Sequence, residues 1–430
     1  MKKSYALMTK AELMSELALL SDLYSKQCEK KLALDMSRGK PSAEQLDLSN
    51  GMMTVLDGSD CKSENGFDAR NYGVLAGLPE ARRLIAQICK VDPENVVIGG
   101  PSSLEIMYDA VVRAILFGTE RSKKPWGKQD KIKFLCPVPG YDRHFGICED
   151  LGIEMINIKM TKDGPNMDEV ERLVSSDPTI KGIWCVPKYS NPDGITYSDD
   201  TVRRMAALSP AADDFRVFWD NAYIVHDITD TPDKLLNIFD LTVGTKNENL
   251  VYMFVSTSKI TFPGAGISAF ISSKRNVEFA LEHLKYQIIS YNKVNQLRHV
   301  RFFASEDGVI NHMKKHSEFL KPRFDTVISA LRRELSDLDI ASFTAPNGGY
   351  FISLYTMPHT ARRTGELCRA AGVTLTNVGA TYPYGTDPDD SNIRIAPSYP
   401  SVEELKSAME VLCICVRLAA VEKLLSEKGE

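Results

Sequence analysis

The chain has no large excess of charge of either sign. Its 430 residues include 52 lysines and arginines against 57 aspartates and glutamates, a formal net charge of −5. Nucleic acids and anionic membranes select strongly basic surfaces, and no half of this chain is strongly basic. We therefore expect neither as a partner. For the short basic stretch at residues 121–128 we predict a solvated loop.

Long apolar runs are missing as well. No window approaches the 18 or so uninterrupted apolar residues that are typical of a membrane-spanning helix. The N-terminus starts with two lysines, but polar and acidic residues interrupt every apolar stretch before residue 20. This pattern predicts an amphipathic helix rather than a signal peptide. We expect a cytoplasmic protein.

Three patterns of metal or nucleophile chemistry are absent. The nine cysteines include no CxxC pair and lie mostly in apolar segments, which is typical of reduced core residues rather than of disulfides or a zinc site. The HExxH pattern of zinc peptidases does not occur, and neither does the GxSxG nucleophile elbow of hydrolases. The sequence therefore predicts no metal and disfavours a serine hydrolase.

Apolar runs that end in proline or glycine turns alternate with segments of helical periodicity. The strand-like runs lie within residues 95–100, 131–141, 180–194, 215–223 and 250–259, and a helical pattern covers residues 102–118. Strands buried on both faces and separated by helices predict an α/β fold with a mainly parallel sheet. Open sheets of this kind bind ligands at the carboxyl ends of their strands.

The length and the 43% hydrophobic content predict two domains. After Gly308 the alternating pattern gives way to long charged helices, short strands and a final amphipathic helix. We predict a large ligand-binding domain at residues 52–308 and a smaller α+β domain at residues 309–430. The N-terminal segment, residues 1–51, is expected to join the small domain.

Polar residues follow the predicted strands at the points where the strands end. Gly100, Ser102 and Ser103 stand at a strand-to-helix junction, where free backbone N–H groups and hydroxyls can hold a phosphate. The other strand ends supply Tyr141, His144, Asn191, Asp220, Tyr223, Ser256 and Lys259. This set meets the needs of pyridoxal phosphate. That cofactor requires a lysine for its Schiff base, an acid for its pyridine nitrogen, hydrogen-bond donors for its phenolate oxygen, an aromatic face and a phosphate cradle.

Five motifs occur in a fixed order along the chain. They are NYGVLAGLPEARRLIA at 71–86, NPDG at 191–194, DNAY at 220–223, STSKITFPG at 256–264 and NIRIAPS at 392–398. With these five motifs in this order, the chain resembles class I/II aminotransferases of the pyridoxal-phosphate-dependent fold type I. The segments SRGKPS, PSSLEIMYDA and KITFPGAGIS resemble a divergent aspartate aminotransferase subgroup related to the effector domains of MocR-type regulators. The resemblance implies a sheet of the seven-stranded type in the large domain.

The resemblance also implies catalytic roles. Lys259 would form the Schiff base with pyridoxal 5'-phosphate and move the proton at the substrate α-carbon. Asp220 would keep the pyridine nitrogen protonated, with His144 bracing the carboxylate. Tyr223 and Asn191 would donate hydrogen bonds to the phenolate oxygen of the cofactor.

The remaining implied roles concern binding. Tyr141 would stack on the cofactor ring, and Tyr72 would reach the phosphate across the interface of a homodimer. The phosphate cradle would consist of Gly100, Ser102, Ser103 and Ser256. Arg394 would bind the substrate α-carboxylate next to Asn191, because a guanidinium pairs with a carboxylate through two parallel hydrogen bonds. Gly39 would let the N-terminal segment pass close to the substrate.

Ordinary structural explanations exist for the same residues. Lys259 can mark the edge of a strand, Asp220 can cap a helix, Asn191 can start a turn, and Arg394 can form a surface ion pair. The chain also departs from the family pattern, because residues 263–266 read PGAG and lack the arginine that grips the phosphate. Either Lys274 or Arg275 would have to neutralise the phosphate charge, or the phosphate would depend more on its hydrogen bonds to Ser102, Ser103 and Ser256.

The expected reaction is transfer of the amino group of L-aspartate to 2-oxoglutarate. An acidic substrate side chain calls for a second cation, and the candidates are Arg38, Lys40, Arg143, Lys188 and Lys293. The alternatives are an aromatic or kynurenine aminotransferase, a carbon–sulfur lyase, or a sensor that binds the cofactor without turnover, since fold and cofactor do not decide which bond breaks. An apolar side-chain pocket would favour the aromatic substrates.

Overall fold

The computed structural model describes residues 3–428, so residues 1–2 and 429–430 of the predicted terminal segments lie outside the described residues. The strands are β1 Leu34–Asp35, β2 Val96–Ile98, β3 Lys133–Val138, β4 Glu154–Thr161, β5 Gly164–Pro165, β6 Ile180–Cys185, β7 Arg216–Asp220, β8 Val251–Ser256, β9 Ser268–Ile271, β10 Ala341–Phe343, β11 Ile352–Thr356, β12 Val373–Thr374 and β13 Asn392–Ile395. The helices are α1 Lys10–Glu29, α2 Ala43–Asp47, α3 Pro79–Cys89, α4 Ser103–Phe117, α5 Asp142–Asp150, α6 Met167–Ser176, α7 Asp199–Ala206, α8 Ile238–Thr242, α9 Lys274–Gln287, α10 Lys293–Phe303, α11 Glu306–Leu335, α12 Ala361–Ala370 and α13 Val402–Glu427.

The main sheet has the strand order β2-β9-β8-β7-β6-β3-β4-β5. The run from β8 to β4 is parallel throughout, whereas β9 pairs antiparallel with β2 and β8, and β5 pairs antiparallel with β4. The predicted α/β fold with a mainly parallel sheet is therefore confirmed. The sheet has one strand more than the seven expected, because the two-residue β5 turns back on β4 at the edge.

The central strands are apolar on both faces because each face carries its own core. Every residue of β6 and β7 is buried. One face presents Phe134, Trp184 and Phe218 to one cluster, and the alternate positions Ile183 and Val217 belong to the other. Side chains of a strand alternate between faces, so a strand covered on both sides shows a continuous apolar run. This is why the runs at 131–141, 180–194, 215–223 and 250–259 predict strands correctly.

The loops that follow the parallel strands lie at one edge of the sheet. Since β3, β6, β7 and β8 are neighbours and run in the same direction, their carboxyl ends meet there. The strand β2 ends at the same edge, and α4 begins five residues later with Ser102 as its N-cap. The fold thus brings five chain segments that are distant in sequence to one place.

A second group of elements surrounds a three-stranded antiparallel sheet of order β10-β11-β13. The helices α1, α11 and α13 share its core, in which Leu20, Leu331 and Leu412 are fully buried. The N-terminal segment also contributes β1, which pairs in parallel with β12. The domain boundaries at 51/52 and 308/309 stay a prediction. Within residues 3–428, no helix is both long and apolar enough to cross a membrane.

The prediction of a solvated loop at residues 121–128 is wrong for its central tryptophan. Trp126 is fully buried, and its indole Nε1 donates to Asp214 Oδ2 at 3.1 Å. Lys181 pairs with the other oxygen of this carboxylate at 2.7 Å. Burial of the large aromatic ring outweighs the basic character of the flanking residues, because its N–H has a partner inside. The nine cysteines are free thiols, and all except Cys28 are buried.

Candidate active site

A cavity of about 150 Å³ lies at the carboxyl edge of the main sheet. Its lining residues are Ser102, Ser103, Leu104, Met107, Tyr141, Val186, Asn191, Asp220, Ala222, Tyr223, Ser256, Ser258 and Lys259. Most of the site residues predicted from the sequence are therefore brought together in one place. Gly100, Tyr72, Gly39 and Arg394 are not part of this lining.

A larger cavity of about 650 Å³ lies elsewhere, between α3, α8 and the start of α9. Its charges are of both signs, and two of them, Lys90 and Glu306, already form an ion pair with each other. None of the predicted site residues lines it. The smaller cavity is the candidate active site, because chemically matched groups converge there.

Lys259 lies in the turn that follows β8. Its Nζ atom is 5.1 Å from the ring centroid of Tyr223 and 5.9 Å from that of Tyr350. Burial lowers the pKa of Lys259, Asp220 opposes this shift, and Arg394 adds to it. A lowered pKa increases the fraction of neutral amine near pH 7, which is the form that acts as a nucleophile or accepts a proton. Lys259 is thus more than the solvated end of a strand.

Asp220 is the last residue of β7 and is 3% exposed. Its Oδ2 accepts a hydrogen bond from His144 Nε2 at 3.0 Å, and the His144 ring stacks on Trp184 with centroids 4.5 Å apart. Its Oδ1 has no hydrogen-bond partner among the described residues. A buried carboxylate oxygen without a partner is costly, so the site calls for a donor that a ligand brings. The protonated ring nitrogen of pyridoxal phosphate is such a donor.

Two further donors face the cavity. Tyr223 is 2% exposed, and burial raises the pKa of its phenol well above the ordinary value, so the hydroxyl keeps its proton. Asn191 accepts a hydrogen bond from Arg394 Nη1 through Oδ1 at 3.2 Å, which leaves its amide nitrogen to donate. Tyr141 also lines the cavity, and burial raises the pKa of its hydroxyl. The roles implied for these residues stay predictions.

Hydroxyls and a helix terminus form the polar end of the cavity. Ser102 caps α4 by accepting from the N–H of Leu104 at 3.2 Å, and Ser103 is the first residue of this helix. Ser256 and Ser258 come from the end of β8 and the turn after it. The positive end of a helix dipole with free N–H groups suits a phosphate. This end of the cavity fits the phosphate of the cofactor.

The two cations considered as replacements for the missing phosphate arginine lie elsewhere. Lys274 lines the larger cavity, and Arg275 pairs with Glu120 at 3.1 Å. Both expectations are wrong, because α9 starts at the opposite end of β9 from the candidate site. The lining of the candidate site carries a single cationic side chain, Lys259.

Gly100 and Tyr72 lie outside the cavity lining. A Cβ atom on Gly100 would come within 2.6 Å of Glu105 Oε2, which is the end of an exposed, flexible side chain that can move aside. Tyr72 is 75% exposed in the single chain. Its contact with a cofactor phosphate across a homodimer interface stays a prediction.

Arg394 lies on β13 behind the cavity and is 8% exposed. Besides Asn191, its guanidinium contacts Asp142 Oδ1 at 2.9 Å and Thr376 Oγ1 at 3.3 Å. It also lies over the ring of Phe351, with Cζ 4.8 Å from the centroid. The alternative of a surface ion pair is wrong for the guanidinium, which is buried, although the Asp142 carboxylate is one third exposed. Sequence reasoning missed Asp142, Thr376 and Phe351.

Gly39 packs against the ring that supports Arg394. A Cβ atom built on Gly39 would lie 2.3 Å from Cζ of Phe351. Gly39 thus makes a close approach to Phe351, and its contact with a substrate stays a prediction. Phe351 is 6% exposed and has little room to move aside.

We expect Gly39→Ala to raise the KM for the carboxylate substrate about fivefold or more, with a smaller change in kcat. Overpacking of this kind costs about 1–3 kcal/mol and would displace Phe351 together with the guanidinium above it. Steady-state kinetics of the variant measure the effect. The matched control is Gly58→Ala, because no atom lies within 4 Å of a Cβ built there. An unchanged KM in Gly39→Ala would contradict the supporting role of Phe351.

The structure singles out no second cation for an acidic substrate side chain. Lys188 is committed to Asp227 at 2.8 Å and to the carbonyl oxygen of Ile224 at 3.0 Å. Lys293 donates to Ser290 Oγ at 2.6 Å. The other three candidates, Arg38, Lys40 and Arg143, are exposed, and none of the five lines the cavity.

A cluster of buried histidines lies behind the backbone of Lys259. His312 and His316, one turn apart on α11, both donate through Nε2 to the carbonyl oxygen of Ile260, at 2.9 and 3.0 Å. Gln45 Nε2 lies 3.2 Å from Nδ1 of His316 and donates to it. These bonds connect α11 and the N-terminal segment to the turn that carries the lysine.

Burial, with a smaller contribution from His312, lowers the pKa of His316 from its ordinary 6.5 to about 4. The folded state therefore binds fewer protons than the unfolded state, and its stability is lost as the pH falls from 6.5 toward 4. We expect His316→Gln to flatten the pH dependence of the free energy of unfolding in this range. Urea unfolding at a series of pH values measures it, with the exposed His359→Gln as control. An equally steep loss in His316→Gln would contradict this assignment.

The chain is similar to known aminotransferases over almost its whole length. The sequence model described as aspartate amino-transferase matches residues 8–428. The aspartate aminotransferase of Corynebacterium glutamicum is 46% identical over 393 residues, which are 91% of this chain and 91% of that protein. A crystal structure of an aspartate transaminase from Corynebacterium glutamicum has a TM-score of 0.96 at 43% identity, and the match covers 98% of this chain and 99% of that chain.

A more distant structure shares the fold alone. The α-aminoadipate aminotransferase of Thermus thermophilus, solved with N-(5'-phosphopyridoxyl)-L-leucine, has a TM-score of 0.72 at 15% identity, with 93% and 95% of the two chains covered. The predicted pyridoxal-phosphate-dependent transferase fold type I is confirmed, whereas the link to MocR-type effector domains stays a prediction. From the family match and the 46% identity it follows that the chain belongs to the aspartate aminotransferase family.

Proposed function

We propose that the chain is a pyridoxal-phosphate-dependent aspartate aminotransferase that transfers the amino group of L-aspartate to 2-oxoglutarate. The observation that carries the proposal is the unpaired, buried Oδ1 of Asp220 in the same cavity as the amine of Lys259. A metal site or a hydrolase would not need an acid without a partner opposite a lysine of lowered pKa. Family membership supports the same reaction class.

The residues that would hold the cofactor are distributed around the cavity. Lys259 would bind it covalently, Asp220 would pair with its ring nitrogen, and Tyr141 would cover its ring. Ser102, Ser103, Ser256 and the start of α4 would hold its phosphate. When bound, pyridoxal phosphate supplies an electron-withdrawing ring that stabilises negative charge on the substrate α-carbon.

The protein groups perform binding and proton transfer around that ring. Lys259, once free, takes the proton from the substrate α-carbon, and its lowered pKa matches the amine to this task. Tyr223 and Asn191 act as hydrogen-bond donors throughout. His144 donates a hydrogen bond to Asp220 and fixes the orientation of this carboxylate. The first keto acid leaves before the second keto acid enters the same site, so the kinetics follow a ping-pong scheme.

Arg394 binds the α-carboxylate of the substrate in this proposal. Its guanidinium is held in place by Thr376, Asn191 and Phe351 and is therefore preorganised for a planar anion. We further propose a homodimer in which Tyr72 of one protomer completes the site of its partner, and a cytoplasmic location. The exposure of Tyr72 in the single chain supports this role.

The test supplies L-aspartate and 2-oxoglutarate to the cofactor-loaded protein and measures the formation of glutamate and oxaloacetate. We expect both products in equal amounts. Double-reciprocal plots at several fixed concentrations of the second substrate should give parallel rather than intersecting lines, as a ping-pong scheme requires. Transfer from kynurenine or an aromatic amino acid but not from aspartate would overturn the substrate. Release of pyruvate and ammonia from a cysteine-type amino acid, with no keto-acid acceptor added, would indicate a carbon–sulfur lyase instead, and no product from any of these substrates would indicate a sensor.

A further inference from the structure

We propose that Asp142 is a built-in competitor for the substrate carboxylate, which occupies Arg394 in the free site and must be displaced when substrate binds. The proposal rests on the proposed function, in which Arg394 binds the α-carboxylate. Asp142 Oδ1 lies 2.9 Å from Arg394 Nη1, on the guanidinium that also bonds to Asn191 in the cavity lining. A carboxylate of the protein thus sits where the carboxylate of the substrate is expected.

The two partners of this ion pair differ in how firmly they are held. The Arg394 side chain is 8% exposed and has three other contacts, to Thr376, Asn191 and Phe351. The Asp142 side chain is 33% exposed, and Arg394 is its only hydrogen-bond partner among residues 3–428. The aspartate can therefore leave while the arginine stays in place.

The position of Asp142 in α5 makes its departure inexpensive. It is the first residue of that helix, where the free N–H groups and the helix dipole favour a negative charge whether or not the arginine is near. Once displaced, the carboxylate can turn to solvent from a side chain that is already one third exposed. Arg394, in contrast, would be left buried and unpaired without either carboxylate, which costs more than a surface ion pair gains.

This arrangement has two consequences for the site. The internal carboxylate keeps Arg394 paired and oriented when no substrate is present. Every carboxylate ligand must also break this internal ion pair in order to bind. Substrates therefore bind more weakly and dissociate more readily. Asp142 is accordingly a positioning residue that sets KM rather than a group that takes part in proton transfer.

The experiment compares Asp142→Asn with the wild type, both loaded with pyridoxal phosphate. Maleate serves as probe, since it has two carboxylates and no amino group and cannot be turned over. Removing the internal charge should tighten maleate binding about three- to tenfold in calorimetry, the range expected for a partly exposed ion pair to a buried guanidinium. The KM values for aspartate and 2-oxoglutarate should fall by a similar factor.

The matched control is Asp199→Asn. Asp199 is likewise the first residue of its helix, α7, but it is exposed and makes no ion pair within the described part of the chain. The Asp199→Asn substitution removes the same charge from an equivalent helix position that is not paired with Arg394, so maleate binding should not change. Methylamine, which has no carboxylate, should bind equally well to wild type and Asp142→Asn, which confines the effect to carboxylates.

Unchanged or weaker maleate binding in Asp142→Asn would overturn the proposal, because a merely structural aspartate would loosen Arg394 when replaced. Weaker aspartate binding with unchanged maleate binding would also overturn it and would put Asp142 next to the substrate amine. Maleate binding does not require turnover. A wild-type protein that binds maleate but does not transaminate would therefore contradict the proposed function and not the displacement of Asp142.

Discussion

Replacing Lys259 by alanine is expected to lower kcat for aspartate and 2-oxoglutarate by about 10⁴-fold. The variant loses both the nucleophile that binds the cofactor and the base at the substrate α-carbon, and proton transfer by a positioned side chain alone accounts for about 10²–10⁴-fold. The protein should still fold, since burial lowers the pKa of this amine and its removal relieves a desolvation cost. Stopped-flow and steady-state assays of the loaded variant measure the loss.

The matched control for this prediction is Lys181→Ala. Lys181 is also a buried lysine, but it lies on β6 and pairs with Asp214 at 2.7 Å, away from the cavity. Its loss should lower the melting temperature, because it leaves the buried Asp214 carboxylate without its counter-charge, while kcat per folded molecule stays unchanged. If Lys259→Ala retained more than about a hundredth of the wild-type kcat, the role proposed for Lys259 would be wrong.

Replacing Asp220 by asparagine is expected to lower kcat by about 10²–10³-fold and to weaken cofactor retention. A neutral amide cannot hold a proton on the ring nitrogen by charge, and losing one preorganised electrostatic partner has an effect of this size. The orphaned Oδ1 identifies this carboxylate as the one that a ligand completes. The measurements are kcat at saturating cofactor and the fraction of cofactor retained after dialysis.

Asp214→Asn is the control for this loss of a buried charge. Asp214 lies just before β7 and Asp220 at its end, so one buried carboxylate lies near each end of this strand. Asp214 bonds to Lys181 and Trp126 and does not line the cavity. We expect a lower melting temperature with the same kcat. A kcat of Asp220→Asn within about threefold of the wild type would contradict the assignment of the ring acid.

The main sheet could be predicted from the sequence because its central strands are buried on both faces. The apolar runs of β3, β6, β7 and β8 end in turns at which polar side chains follow, and this local pattern needs no knowledge of the pairing. The antiparallel pairing of β9 with β2 could not be predicted, since it joins segments more than 150 residues apart in sequence. The two-residue β5 is too short to leave a pattern.

The candidate site was predictable where its residues belong to motifs at strand ends. Tyr141, Asn191, Asp220 and Lys259 all line the cavity for that reason. The surroundings of Arg394 were not predictable, because they combine α5, the segment after β12 and the residue before β11 through long-range packing. Asp142 did leave a signal, its position next to Tyr141, whereas nothing in the sequence marks Thr376.

The histidines behind Lys259 show the same limit. His312 and His316 stand four residues apart, a spacing that places them on one face of α11. Their common partner is a backbone carbonyl, that of Ile260, which has no side chain to mark it in the sequence. Periodicity can therefore show that two histidines share a face, but the group they bind comes only from the fold.

The visible absorption spectrum of the cofactor-loaded protein tests the central claim most directly. We predict a visible band from the cofactor bound to Lys259 that bleaches on addition of L-aspartate and returns on addition of 2-oxoglutarate. The band should be missing or shifted in Lys259→Ala and retained in Lys181→Ala. A wild-type protein that shows no such band with pyridoxal phosphate would contradict the assignment of the cavity, and a band that does not respond to aspartate would contradict the substrate.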